Sequence, residues 1–305
     1  MSNNLGLTQK FDPQYGTAVE INSGVRRIVA NNPGPMTFKG TGTFLIGNNQ
    51  LAVIDPGPDD DEHLEALIKA IGPATLTHIL ITHTHHDHSP LAARLKQITG
   101  AETYGVGPHG VRKTDYTSNV ESLGLEGSGD MGFVPDHVIG HGDIIDGPDF
   151  NFECVFTPGH SANHMAFALE RHKALFVGDL VMGWSTSVVA PPDGNMAEYM
   201  ASLRLVRKRD DLTYWPTHGA PIDAPQRVVK GYITHRQMRE NAIEKTLAAG
   251  PHKIIDVVLK IYKGLDTKLH GAASLSVLAH MEHLHAHDKI EIDGPLSLDA
   301  TYCLR

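Results

Sequence analysis

Seven consecutive residues, Thr82-His83-Thr84-His85-His86-Asp87-His88, restrict what this chain can become more than any other stretch. The run has the form T-H-x-H-x-D-H, which puts His83, His85, Asp87 and His88 within six positions. Just upstream, residues 76–81 are apolar and rich in β-formers, the pattern of a buried strand. The four side chains therefore fall on a tight turn at a strand's end. Imidazoles and one carboxylate are what Zn2+, Fe or Mn would take there. Alone the run is weak, because the chain has 20 His and a polar His-rich loop is the plainer reading.

The rest of the chain strengthens it. His160 follows Thr157-Pro158-Gly159 after an apolar run at 150–156. Asp179 follows Gly178 after 174–177, and His218 sits in Pro216-Thr217-His218-Gly219 after 212–215. Each lies just beyond a strand-like run, where loops carry function on a rigid scaffold. Gly57, Gly159, Gly178 and Gly219 stand where strand-end turns are tight. Asp55 closes Val53-Ile54-Asp55-Pro56-Gly57, and from its residues alone it reads as a turn-former before proline.

Length and patterning set the frame. With 305 residues, 41% of them hydrophobic, the chain can form one large domain or two smaller ones. Its start lacks an apolar signal segment, and no apolar run approaches the roughly 20 residues of a membrane span. Two cysteines, Cys154 and Cys303, suit a reducing compartment, so a cytoplasmic protein with no membrane partner is expected. A hairpin is expected over 43–54 and a helix over 60–71. Further helices are expected at 90–98 and 197–209, and an irregular or partly helical insert over 107–132. Strands are also expected at 144–145, 150–156, 166–169 and 174–177. From residue 225 the composition changes. A long amphipathic helix to 249, helices at 254–261 and 272–287, and a closing hairpin read as a winged-helix-like unit. The helix at 272–287 carries no Lys or Arg, which makes it a poor reader of duplex DNA. His280, His283, His285 and His287 on it read as solvated surface. Residues 225–305 carry 11 Lys+Arg against 9 Asp+Glu and the remainder 15 against 26, a mildly basic tail on an acidic body.

Seven such residues at strand ends, in this order, resemble the metallo-β-lactamase fold superfamily in its hydrolase branch. The likeness extends to His160-Ser161-Ala162-Asn163-His164-Met165, to Val177-Gly178-Asp179 and to Tyr232-Ile233-Thr234-His235-Arg236 in the long helix. With the tail containing residues 258–262, these are similar to the β-lactamase-like protein 2 group. The resemblance implies an α/β fold: a four-layer αββα sandwich over 1–224 and a small winged-helix-like domain over 225–305. It implies two divalent metal ions, with Zn2+ expected and Fe or Mn accepted by the same donors. His83, His85 and His160 would hold the first ion, and Asp87, His88 and His218 the second. Asp179 would bridge them and Asp55 would orient the metal loop through hydrogen bonds. A bridging hydroxide would be the nucleophile. Catalytic roles fall to Asp179, to Asp87 (chiefly as a ligand) and to His164, the last as a contact to substrate or leaving group. Trp184 is a residue that could line the cleft or simply pack. A homodimer is the family-level expectation.

The resemblance carries two substrate classes. Members of the group include endoribonucleases cutting single-stranded RNA, and related fungal enzymes release polyketides from acyl carriers. RNA phosphodiesters are the first expectation, supported by Arg204, Arg207, Lys208 and Arg209 and opposed by the acidic body. Thioesters, esters or lactones, as small-molecule acyl substrates, are the alternative. A nucleic-acid-binding regulator with a relict site is the third reading, and the complete set of seven residues weighs against it.

Overall fold

The computed structural model describes residues 5–110 and 129–305. Most of the irregular insert expected over 107–132 therefore lies outside the described residues. A seven-stranded sheet runs in chain order: β1 (Val19–Asn22), β2 (Val25–Val29), β3 (Gly42–Gly47), β4 (Gln50–Ile54), β5 (Thr75–Leu80), β6 (Glu102–Gly105) and β7 (His137–Val138). The early strands pair antiparallel, and β4 through β7 pair parallel. Helices α1 (Asp61–Ile71) and α2 (Leu91–Thr99) make the crossovers between parallel strands. The second sheet holds β8 (Ile144–Gly147), β9 (Phe150–Phe156), β10 (Met165–Leu169), β11 (Ala174–Gly178) and β12 (Thr213–Pro216), with α3 (Met196–Arg207) between the last two.

Period-two alternation sorts the side chains into layers, because successive residues of a strand face opposite sides. Phe44, Ile46, Ala52 and Ile54 of the first sheet meet Phe152, Cys154, Phe167 and Phe176 of the second. The alternate residues Leu45, Leu51, Val53 and Ile79 pack outward on Leu64, Leu67, Leu91 and Leu95 of α1 and α2. On the far side Val155, Ala166, Leu175 and Val177 pack on α3 and on helix α4 (Pro225–Leu247). Central strands covered on both faces read as continuous apolar runs, which is why they are visible in the sequence. The outcome is the expected four-layer αββα sandwich.

The C-terminal unit comprises α5 (Ile254–Ile261), α6 (His270–Ala286) and a three-stranded sheet, β13 (His252–Lys253), β15 (Thr301–Leu304) and β14 (Ile290–Asp293), in that spatial order. Its own core joins Val257, Leu278 and Tyr302 to Ile243 and Leu247 from the end of α4. Val228, Val229, Tyr232 and Ile233 from the start of α4 are buried with the sandwich. A division at 224/225 thus separates from the sandwich a half-helix that helps close its core. The solvated-surface reading holds for His285 and His287, which are exposed, and is corrected for the other two: His280 is buried, and its Nδ1 and that of His283 face Glu240 of α4 at 3.3 and 2.8 Å. Among the described residues no helix is long and apolar enough to cross a membrane.

Candidate metal centre

The two sheets present their strand ends along one edge, and the seven expected residues converge there. Backbone turns make the convergence possible. Gly178 ends β11 with φ +49°, and a Cβ there would stand 2.6 Å from the His164 ring and 3.0 Å from Thr82. Only glycine lets the chain turn into Asp179 at that spot.

Three overlapping sets of donor atoms form: His83, His85 and His160; His83, His88 and Asp179; Asp87, His88 and His218. Asp179 Oδ2 lies 3.6 Å from His160 Nε2, 3.8 Å from His88 Nε2 and 3.4 Å from His218 Nε2. One carboxylate oxygen thus stands between both triads. Asp87 Oδ2 is 3.2 Å from His218 Nε2 and 3.4 Å from His88 Nε2, and it accepts a 3.0 Å bond from the Thr41 hydroxyl.

The outer face of each ring fixes its tautomer. Thr82 Oγ1 donates its one proton to Asp55 at 2.7 Å, so His83 Nδ1–H must donate to Thr82 at 3.0 Å. His88 Nδ1 donates to Asp55 at 2.8 Å, His160 Nδ1 to the Val188 carbonyl at 2.7 Å and His218 Nδ1 to the Gly40 carbonyl at 3.1 Å. His85 is turned the other way, with Nε2 3.4 Å from Asp193 and Nδ1 inward. Each inward ring nitrogen is therefore the one that a metal can take, once any proton on it is released. Some face one another closely: His85 Nδ1 is 2.9 Å from His83 Nε2 and 3.2 Å from His160 Nε2. His88 Nε2 and Asp179 Oδ1 are buried with no hydrogen-bond partner. Lone pairs converging at such distances, with carboxylates among them, fit divalent cations.

The charges follow the same division. Burial, and then neighbouring His88, His85 and His160, hold His83 well below the ordinary imidazole range, and burial with His85 takes His160 to about 4. Burial depresses His218 as well, but Asp179 and Asp87 at its Nε2 outweigh this and raise it to about 10. His88 is raised in the same way by Asp87, Asp55 and Asp179. Burial pushes Asp87 and Asp179 upward, yet the His88 and His218 rings hold both well below the usual carboxylate range. At the His88/His218 end a proton and a metal compete for one nitrogen, so metal uptake there releases protons.

Asp55 binds the whole edge together. It is 1% exposed with φ +49°, a strained region for a residue with a side chain. Its carboxylate accepts from Thr82 N, Thr82 Oγ1, His88 Nδ1 and Thr217 Oγ1 at 2.8, 2.7, 2.8 and 3.3 Å. Beneath it, Thr43 donates to the Asp55 carbonyl at 2.7 Å, and His63 Nε2 donates to Thr43 at 2.9 Å. Burial lowers His63 to about 4. The folded chain therefore keeps His63 neutral where the unfolded chain protonates it. Its contribution is complete above about pH 6.5 and lost on acidification toward 4, at about 1.4 kcal/mol per pH unit. His63→Gln is expected to flatten the stability slope by that amount between pH 6.5 and 4. Denaturant midpoints of both proteins at pH 7 and pH 5 check it.

One role is corrected. His164 is fully buried; its Nδ1 meets the Thr157 hydroxyl at 2.9 Å and its Nε2 accepts the Asp179 backbone N–H at 3.1 Å. Both nitrogens are thus occupied, the second in fixing the Asp179 backbone, and His164 does not line the cleft. Two residues absent from the sequence reading join the site. Asp193 faces His85 and accepts from Ala162 N at 2.9 Å; burial pushes its carboxyl up, but His85 and the Ala162 N–H outweigh this and hold it at about 2. His109 lines the cleft with Nδ1 2.9 Å from the Thr84 hydroxyl. Neither follows a strand-like run, so the signal that found the others passes over them.

The centre opens into a cleft of about 580 Å3. Met36, Met131, Met182, Trp184, Val188 and Pro191 form much of its wall, with Asp87, Asp179 and Asp193 at its floor. Trp184 both lines it and packs, stacking on Phe38 at 4.7 Å between ring centres. No Lys or Arg is among the described lining residues.

Residues 37–218 match the family model for the metallo-beta-lactamase superfamily, and residues 254–294 that for the beta-lactamase associated winged helix domain. A beta-lactamase-like protein 2 homolog of Drosophila melanogaster is 29% identical over 289 residues, covering 89% of this chain and 91% of the relative. An atrochrysone carboxyl ACP thioesterase of Aspergillus terreus is 30% identical over 254 residues, covering 81% of this chain and 70% of its own length. The crystal structure of a beta-lactamase domain protein from Burkholderia ambifaria superposes with a TM-score of 0.80 at 19% identity, covering 97% of this chain and 96% of that one.

Proposed function

The chain belongs to the metallo-beta-lactamase superfamily and is a hydrolase with a His/Asp metal-binding cluster, and we propose that it cleaves small-molecule acyl thioesters or related esters and lactones whose acyl part is apolar. The observation that carries this reading is the cleft: an apolar wall beside the metal-binding residues, with no Lys or Arg among its described residues. Such a surface takes up an acyl chain by burying it, at about 25 cal/mol per Å2 of apolar area. A polyanion would find no Lys or Arg along the described wall to hold the phosphates on either side of the one at the metal ions. Arg209, one of the cations favouring RNA, is already paired with Asp211 at 2.7 Å and Glu153 at 3.0 Å. The thioesterase relative supports the same choice. Single-stranded RNA is therefore the weaker fit. The regulator reading is weaker still, because α6 is buried along most of its length.

In this reading His83, His85 and His160 hold one metal ion, Asp87, His88 and His218 a second, and Asp179 reaches both. Two divalent ions, with Zn2+ proposed, supply Lewis acidity and a bound water that is deprotonated near neutral pH. The chain's own part is placement. His164 fixes the backbone of Asp179, Asp55 and Thr82 aim His88 and His83, and the apolar wall seats the acyl group and excludes bulk water.

The test is kcat/KM over thioesters from acetyl to bulky apolar acyl groups, beside single-stranded RNA. Efficiency is expected to rise with acyl size, and Trp184→Ala to cost the bulky substrate about tenfold while sparing acetyl. RNA cleavage without acyl hydrolysis would reverse the assignment.

A further inference from the structure

Between β11 and α3, residues 179–195 run without helix or strand, and Met182, Trp184 and Val188 from this stretch form one wall of the cleft. Backbone polar groups in such a segment need partners from outside it. Several come from α4. The Tyr232 hydroxyl accepts the Met182 N–H at 3.0 Å and faces the carbonyls of Met182, at 2.7 Å, and Ser185. One turn later Arg236 donates to the Ser187 carbonyl, and its guanidinium lies 5.2 Å from the centre of the Tyr199 ring. Tyr199 in turn donates to the Leu180 carbonyl at 2.8 Å. Tyr199, Tyr232, Arg236 and Ser187 are all buried. The next residue, Val188, supplies the carbonyl that takes the His160 Nδ1 proton.

We propose that Tyr232 and Arg236 are positioning residues for the metal centre, setting the cleft wall at 182–188 and, through the Val188 carbonyl, the orientation of His160. This rests on the reading of His160 as a metal ligand. Neither residue touches substrate. A wall with no regular structure belongs to the easily opened parts of a fold unless something pins it, and buried side chains on a helix pin it well. One turn beyond Arg236, Glu240 meets His280 and His283 of α6. The winged-helix unit thereby steadies the helix that holds the site, a role that requires no nucleic acid.

The experiment compares full-length Tyr232→Phe and Arg236→Lys with the parent chain and with His160→Ala. Zinc binding is read by competition with a chromophoric chelator, and fold by the thermal midpoint of metal-stripped protein. His160→Ala is expected to remove one of two binding steps. Tyr232→Phe and Arg236→Lys are expected to weaken that same step about tenfold and leave the other unchanged. Both would also shift the visible absorption of bound Co2+. Folded variants with the parent's two zinc steps and Co2+ spectrum would overturn the proposal. If His160→Ala also kept both steps, the ligand assignment itself would fall. Tyr232→Phe keeps its ring in the core, so its result decides the matter even if Arg236→Lys does not fold.

Discussion

Asp179→Ala is expected to lower acyl hydrolysis by about a thousandfold or more, with the fold intact. The reasoning starts from Oδ2, which lies within 3.4–3.8 Å of the inward nitrogens of His160, His88 and His218. No other carboxylate among the described residues reaches both triads, since Asp87 approaches only His88 and His218. Removing it takes away the one donor shared by both ions and the negative charge that balances them. Loss of a single preorganised donor at an oxyanion already costs about a hundred- to a thousandfold. The backbone N–H of residue 179 still reaches His164 in the variant, so the turn after β11 has its partner. Kinetics on a thioester, with far-UV circular dichroism as the check on folding, measure the effect. A variant retaining a tenth of the parent's kcat/KM would remove Asp179 from its place between the triads.

Asp55→Ala is expected to damage both stability and metal binding, although Asp55 touches neither substrate nor either proposed ion. Its carboxylate satisfies four donors inside a site from which water is excluded. Truncation strands Thr82 N and His88 Nδ1 without partners, and unpaired buried donors cost about 1–3 kcal/mol each. The loss is expected at roughly 3–5 kcal/mol. Part is offset because Ala no longer needs the strained φ of +49° enforced by these bonds, if the turn relaxes. With its partner gone the His88 ring can turn, and zinc affinity should fall about 10- to 100-fold. Asp55→Asn is the informative companion. Its amide keeps one acceptor but sets an N–H2 against Thr82 or His88, so it should lie nearer to Ala than to the parent. Chemical denaturation of the metal-stripped proteins separates the stability loss from the affinity loss.

The residues that were legible in the sequence share one property: each follows a largely apolar strand of the two packed sheets. The run before Asp179 is buried throughout, and those before His83, His160 and His218 are mostly buried, with polar or exposed residues at a few positions. Helix α1 was legible from the helical spacing of Leu64, Leu67, Ile68 and Ile71 and from the acids of its first turn, and the structure adds a cap in which Asp60 accepts from His63 N. The strands that escaped notice lack that burial or length. β1 alternates half-buried and exposed residues, β2 carries two arginines, and β6 and β7 have four and two residues. Their pairing is set by the neighbouring strand rather than by their own pattern. Asp193 and His109 reach the cleft from loops whose course depends on tertiary packing. His164 misled because its role came from the resemblance alone, whereas its burial and its bonds to Thr157 and the Asp179 N–H are set by tertiary packing. His280 misled because it reads with His283, His285 and His287 as one polar group, whereas it is buried among Ala279, Met281 and Leu284 and its partner Glu240 lies 40 positions away.

Seven side chains make up the proposed two-ion centre, and the metal-to-protein ratio by elemental analysis measures it most directly. The full chain, saturated with zinc and freed of excess, should carry two ions per chain. His85→Ala and His218→Ala should each carry about one, and acyl hydrolysis should fall in both. A parent chain that saturates at one ion, or variants that still hold two, would contradict the assignment of two triads joined by Asp179.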